Sequence, residues 1–342
     1  MRDVVIESVP SSQSQAAIRF LAGGSSRDSL VQMQAESLYQ RTLGVNPSVA
    51  ALWWARRGRI PLAAAMVYRN VGRTGAMLCC PATAPDVDVE WLVRLVHTLS
   101  LAEIARGLSL IQALLPPEAK PELTMLGRAG YHRLAQLTYM ALAVPRDAGI
   151  LPASGGEDEL SSFRDQPHGT HSAGGTPASR GNARATVTFH QATELPAHEL
   201  EDVIRRTYEQ SQDCPALVGV RDVADVVAGH RASGLFSPES WWIVRVEGQP
   251  AACLLLNESF SGEDGDIVYL GVAPEFRRRG LGRAMLQQAI SHAQRVSWRR
   301  LTLAADSANS PAIKLYEEFQ FAVSHRREAW IFTWKDVRQD FP

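Results

Sequence analysis

Lysine is nearly missing from this chain. Only Lys120, Lys314 and Lys335 occur among 342 residues, so arginine carries almost all of the positive charge. The 35 basic and 36 acidic side chains balance, leaving no net field for nucleic acid or an anionic membrane. Cysteine is scarce as well: Cys79, Cys80, Cys214 and Cys253 form neither a Cys-x-x-Cys pair nor a Cys/His zinc spacing. No metal site is expected from them, and a reduced, cytoplasmic setting fits. Adjacent Cys79 and Cys80 alternate faces in a strand, which suits a core better than redox work. No run approaches the ~18–20 apolar residues of a membrane span. Residues 1–10 lack the apolar run of a signal peptide. The P-loop spacing Gly-x-x-x-x-Gly-Lys-Ser/Thr and the dinucleotide fingerprint Gly-x-Gly-x-x-Gly are both absent.

What is present centres on residues 268–283. Val268-Tyr269-Leu270-Gly271-Val272 is apolar and β-prone, and Pro274 ends it as a strand. From Leu281 onward, Leu281, Met285, Ala289 and Ala293 recur at helical spacing, with Leu286 and Ile290 beside them. A helix start exposes unpaired N–H groups and the positive end of the macrodipole. Gly280 and Gly282 let that backbone approach a ligand closely. Arg277, Arg278, Arg279 and Arg283 add positive charge. Together these make a phosphate cradle.

The length suggests two domains. Strands are expected over 4–9, 51–56, 61–68, 76–80 and 110–115, with helices over 29–42, 90–107 and 121–129 and closing strands over 131–144. Residues 146–184 are rich in Gly, Ser, Pro, Asp and His and read as a flexible linker of 39 residues. His168 and His171 lie there without further metal ligands and read as solvated. Beyond it, strands are expected over 186–190, 240–246, 251–257, 266–272 and 300–305, with helices over 196–210, 222–233, 281–293 and 310–319 and strands over 321–334. The domain boundaries are then 1–145, 146–184 and 185–342.

The two halves repeat. Trp53-Trp54 matches Trp241-Trp242 at an offset of 188, and Gly75 matches Gly265 at 190. The offset of 190 then holds without a gap through Pro121 and Pro311, Tyr131 and Phe321, and Met140 and Trp330. Where the second half carries Arg277, Arg278, Arg279 and Gly280, the first carries Val87, Asp88, Val89 and Glu90. Carboxylates there satisfy the helix dipole themselves and repel a pyrophosphate.

Arg277-Arg278-Arg279-Gly280-Leu281-Gly282, after Val272-Ala273-Pro274, resembles the acetyl-CoA loop of the GNAT N-acetyltransferase family. The stretch from Asn309 through Ala312, Leu315 and Tyr316 to Phe321 resembles its Asn-x-x-Ala-x-x-Leu-Tyr-x-x-x-Gly-Phe motif, with Gln320 in place of Gly. The likeness is close over 186–335 and reaches 1–145 only through the repeat. It implies an α/β (α+β) fold of two tandem GNAT-like domains, each a mixed, mainly antiparallel sheet with helices on both faces. The architecture is similar to that of the tandem mycothiol synthases, although no residue set identifies the acceptor.

The resemblance further implies acetyl transfer from acetyl-CoA to an amine of a small molecule or protein, with neither nucleic acid nor membrane as partner. Leu270 and Val272 would hold the pantetheine arm. The amides of Arg279, Gly280, Leu281, Gly282 and Arg283, aided by Arg277 and Arg278, would take the pyrophosphate, and Asn309 would touch the cofactor from the other side. Asn309 or Ser310 also reads as a helix cap. Tyr316 is the expected acid and Leu126 occupies its place in the first half. Asp266 is a base candidate that would equally cap the turn at 263–265, and Glu258 is another. Trp241, Trp242 and Tyr269 are candidates for an acceptor pocket or for simple packing. The other class of function is an acyl-CoA sensor without catalysis, for which a proton donor such as Tyr316 has no use. Docking of the halves across so long a linker would need an apolar interface.

Overall fold

Long apolar runs form the middle of each half because helices cover both faces of the sheet there. The computed structural model describes residues 4–23, 33, 39–40, 43, 46–79, 88–145, 185–194 and 196–337. In the first half these give strands β1 (Val4–Ser8), β2 (Ala50–Arg57), β3 (Ile60–Asn70), β4 (Thr74–Cys79), β5 (Leu110–Leu115) and β6 (His132–Ala143). Its helices are α1 (Ser14–Gly23), α2 (Glu90–Ala105) and α3 (Lys120–Arg128). The second half has β7 (Val187–Gln191), β8 (Trp241–Val246), β9 (Gln249–Glu258), β10 (Gly265–Val272), β11 (Arg300–Asp306) and β12 (Ala322–Thr333). Its helices are α4 (Ala197–Thr207), α5 (Val223–Ala232), α6 (Leu281–Arg295), α7 (Ser310–Glu318) and the short α8 (Trp334–Val337). Strand β9 shows the layering. Ala252, Leu254 and Leu256 pack with α6 on one face, and Cys253 and Leu255 pack with α4 and α5 on the other.

The described strands form one sheet in the order β1-β2-β3-β4-β5-β12-β6-β11-β10-β9-β8-β7. The halves therefore exchange their last strands: β12 lies between β5 and β6, and β6 lies between β12 and β11. The exchange is symmetric in register. Leu110 of β5 pairs with Thr333 of β12, and Arg300 of β11 pairs with Ala143 of β6, each residue shifted by 190. Between β6 and β12, Ala322 faces Ala141 and Ile331 faces His132, the same pair under that shift.

This corrects two expectations. Each closing segment is a single long strand, because the neighbour that completes its sheet comes from the other half. The halves are joined by backbone ladders rather than by apolar surfaces alone. The first half also touches the second at a tight hairpin. Gly72 has φ +81°, and a Cβ there would lie 2.2 Å from the carbonyl oxygen of Asp225 on α5.

The repeated glycines have a packing reason. A Cβ on Gly265 would fall 2.0 Å from the Trp298 ring, and one on Gly75 would fall 2.9 Å from Leu108, again residues 190 apart. Of the expected elements, the helix over 29–42 (isolated positions aside), the side chains of Cys79 and Cys80, and the segment 146–184 with His168 and His171 fall outside the described residues. Helix α1 was not anticipated. Its Ala17, Ile18 and Leu21 cover Leu52, Trp54 and Met66.

Candidate active site

Strands β10 and β11 run parallel but pair only at Gly265–Leu301 and Asp266–Thr302. Beyond that point they separate. On its other side β10 pairs with β9 down to Val272, with a register shift between Ile267 and Tyr269 that makes Val268 a bulge. The Ala273 N–H donates to Ala251, which fixes which residues turn toward β9. Alternation then turns the backbone groups of Leu270 and Val272 toward the gap.

The gap leads to the N-terminus of α6. Gly280 has φ 80° and sits one residue ahead of the helix, with open space where a Cβ would project. Arg278 is also left-handed, at φ 63°. The first turn carries no acidic residue and no side chain caps it. Among the described residues the amides from Arg279 to Arg283 have no acceptor, whereas Ala284 already donates to Gly280. Such a row of unpaired N–H groups at the positive end of a four-turn helix fits a diphosphate.

The arginines divide by role. Arg277 is a staple: its guanidinium donates to the carbonyls of Thr207, Glu209, Gln210 and Val272 at 2.6–3.1 Å. It ties the end of α4 to the end of β10, so its charge sits behind the loop. Arg283 pairs with Glu318 and lies over the Phe319 ring. Arg278 and Arg279 are exposed without an ion-pair partner among the described residues, and Arg279 rests 5.4 Å from the Phe276 ring centroid. Leu281 is buried and anchors the helix start. Gly282 is small for α7: a Cβ would come within 2.8 Å of Leu315. Asn309 caps α7 by accepting from the Ala312 N–H at 3.4 Å.

The first half meets the same helix start differently. The Asp88 carboxylate accepts from the Glu90 N–H at 2.9 Å, and Glu90 pairs with Arg94 and Arg128. The helix end is satisfied from within. At the position equivalent to Tyr316, Leu126 is fully buried in the core.

Tyr316 itself is 7 % exposed, between α7 and the sheet, with its ring 6.0 Å from Phe321. Burial, aided by the charge of Asp213, lifts its phenol well above the ordinary range, so it stays protonated. The loop carrying Asp213 is pinned beside it. Asp213 accepts from the Asp306 N–H at 2.8 Å, and the Asp306 carboxylate receives the Cys214 N–H at 3.3 Å. Burial pushes the Cys214 thiol up to about 12, which makes it inert.

Asp266 lies where the strands part. Thr302 donates to it at 2.9 Å, and burial raises its carboxyl above the usual range against that bond. It does not cap the preceding turn. There Ser259 serves the Asp264 N–H, and the carboxylates of Glu263 and Asp264 meet Arg299 and Arg300. Asp266 opens instead onto a cleft of about 490 Å³, shared with Thr302, His230, Tyr139 and His325. Burial depresses His230 to about 4, so it is neutral, and its buried Nε2 has no hydrogen-bond partner among the described residues.

Trp241 and Trp242 are core residues instead of pocket walls. Trp241 is fully buried and donates to Asn257, and Trp242 packs edge-on against His292. Tyr269 shares a hydrogen bond with Thr207 at 2.7 Å. Glu258 stands at the end of β9, where its backbone bridges to Leu235. Tyr139, His230, Thr302 and His325 escaped the sequence reading. Only the strand exchange brings the first and last of these four together.

The fold and cradle define the class. Residues 200–321 match the model of the acetyltransferase (GNAT) family. Over those residues the second half is similar to that family, and the whole chain shares its fold with a GCN5-related acetyltransferase. Among known sequences it is similar to the mycothiol acetyltransferase of Thermobispora bispora, at 28% identity over 194 residues, which cover 51% of this chain and 65% of that protein. It is also similar to the mycothiol acetyltransferase of Acidothermus cellulolyticus, at 30% over 142 residues, covering 41% of this chain and 39% of that one. The matches thus span less than two thirds of either relative. Among solved structures, a GCN5-related N-acetyltransferase from Sphaerobacter thermophilus aligns with 96% of this chain and 95% of its own, at a TM-score of 0.53 and 16% identity, a likeness of fold.

Proposed function

We propose that the second half transfers an acetyl group from acetyl-CoA to an amine. The observation that carries this is the alignment of three features along one path. The unpaired amides at Arg279–Arg283 open onto the gap between β10 and β11, and that gap ends at the Asp266 cleft. The amides would hold the diphosphate, with Arg278 and Arg279 adding charge. The outward backbone groups of Leu270 would pair with the pantetheine arm, joined by the Val272 N–H, since the Val272 carbonyl already accepts from Arg277. Acetyl-CoA supplies an acetyl group already activated as a thioester.

Two proton movements remain for the protein. An ammonium cannot attack, so the amine must lose a proton, and Asp266 is placed to receive it directly or through water. Its raised pKa makes it a better base than an exposed carboxylate. The departing thiolate needs a proton or a hydrogen bond, and Tyr316 is the donor. Because burial raises its phenol, Tyr316 holds its proton tightly and stabilises the sulfur foremost by hydrogen bonding. The first half lacks both the open cradle and this tyrosine, and has no such role.

Thiol release from acetyl-CoA, followed with a thiol-trapping dye over a panel of amines, tests the proposal. Amine-dependent release, with an acetylated product seen by mass spectrometry, is expected. Tight acetyl-CoA binding without any amine-dependent release would favour a sensor and overturn transfer.

A further inference from the structure

The Asp266 cleft is not built by the second half alone. Its far wall is Tyr139, on the first half's exchanged strand β6, together with Ser324 and His325 on β12. The Tyr139 and His325 rings stack at 4.3 Å and 12°. Ser324 locks the pair by donating to the Tyr139 carbonyl at 3.1 Å and lying 3.1 Å from His325 Nδ1. Tyr139 and Asp266 share one electrostatic field: burial raises the phenol, Arg327 opposes this and the Asp266 charge adds to it. A flat, stacked pair of amphipathic rings facing a carboxylate is a surface for holding a polar molecule.

The charge of the lining narrows what that molecule is. Asp266 is its one acidic residue, and neither arginine nor lysine lines the cleft. Hydroxyls come from Ser233, Thr302, Ser324 and Tyr139. An ammonium is attracted here, whereas a carboxylate or phosphate meets Asp266 with neither arginine nor lysine on the wall to compensate.

We propose that Tyr139 and His325 bind the body of the acceptor, so that the first half supplies part of the second half's substrate site, and that the acceptor is an amine with hydrogen-bonding groups but no carboxylate or phosphate. This rests on the transfer reading above. It gives the first half a role in catalysis without a cofactor site of its own.

The test uses the full-length protein with two matched pairs of probes: glucosamine against glucosamine 6-phosphate, and serinamide against serine. Wild type is expected to favour the member without the anion by at least about tenfold in kcat/KM, the scale of one lost or repelled polar contact. Tyr139→Phe and His325→Ala are expected to raise the acceptor KM about tenfold, with kcat within about twofold and the acetyl-CoA KM unchanged. Unaltered melting temperatures show that both variants fold, and His325→Gln replaces His325→Ala if the latter does not. If wild type acetylates a probe and the variants match it, the composite wall is wrong. Equal use of the anionic partners would overturn the acceptor class. If wild type releases thiol with other amines but acetylates none of the four, the acceptor class is wrong, whereas no release with any amine overturns the transfer reading itself.

Discussion

Arg133 Nε lies 2.7 Å from Glu328 Oε2, joining neighbouring strands whose residues are 195 apart in the chain. Gln136 adds a second bond to Glu328 at 3.0 Å. Burial alone would lift the Glu328 carboxyl, but the bonds from Arg133 and Gln136 and the Arg133 charge outweigh it and hold it below the usual range. Its folded pKa is therefore depressed. The stabilisation is full above the unfolded value of about 4.3 and disappears as pH falls through the folded value.

Glu328→Gln is accordingly expected to destabilise the protein by about 1 kcal/mol at pH 7, a modest figure because Arg133 is half exposed. The difference from wild type should shrink below about pH 4. Melting curves at pH 7 and at the lowest pH where wild type stays folded check this. An equal deficit at both would show that the ion pair is not the cause.

The exchanged strands make the halves interdependent. A specific protease site placed within 146–184 and cut is expected to leave two fragments that co-elute from a sizing column and part only in denaturant. The ladders β5–β12, β12–β6 and β6–β11 hold them. Two folded fragments eluting separately would contradict the exchange.

At the cradle, Arg279→Glu is expected to weaken acetyl-CoA binding about tenfold at low salt and less at high salt, since it reverses an exposed charge. Gly280→Ala is expected to cost about 1 kcal/mol through its left-handed backbone, without a clash. Titration calorimetry at two salt concentrations reads both effects. A salt-independent loss for Arg279→Glu would point to misfolding of the loop instead of lost charge.

Asp266 predicts the opposite sign from Glu328. Its folded pKa is raised by burial, so the folded state binds its proton more tightly than the unfolded chain does. Asp266 therefore reduces stability once pH rises through its folded value. Asp266→Asn is expected to keep or raise the melting temperature at pH 7 while lowering turnover and removing the acid limb of the pH–rate profile. Retention of that limb would assign it to another group.

Most of the described strands and helices were legible because apolar period and punctuation are local, α1 being the exception. Gly75 and Gly265, Pro121 and Pro311, and the Asn309–Phe321 motif announce themselves in one dimension. The open helix start at Gly280 was legible for the same reason, since its unpaired amides are consecutive. The stapling role of Arg277 was not legible, because its carbonyl partners lie up to 70 residues away. Tyr139 and His325 meet only through the strand exchange. A hydrophobic pattern states which face of a strand is buried, not which strand lies beside it.

The most direct test of the account is single-turnover release of coenzyme A thiol, with enzyme in excess over acetyl-CoA and glucosamine saturating, for wild type and Tyr316→Phe. The variant keeps the ring packed against Phe321 and loses only the hydroxyl. A fall of about 10²-fold or more in the transfer rate, at the lower end of what a lost proton donor costs, with unchanged acetyl-CoA affinity, is the predicted result. An unchanged single-turnover rate would contradict it and remove Tyr316 from the chemistry.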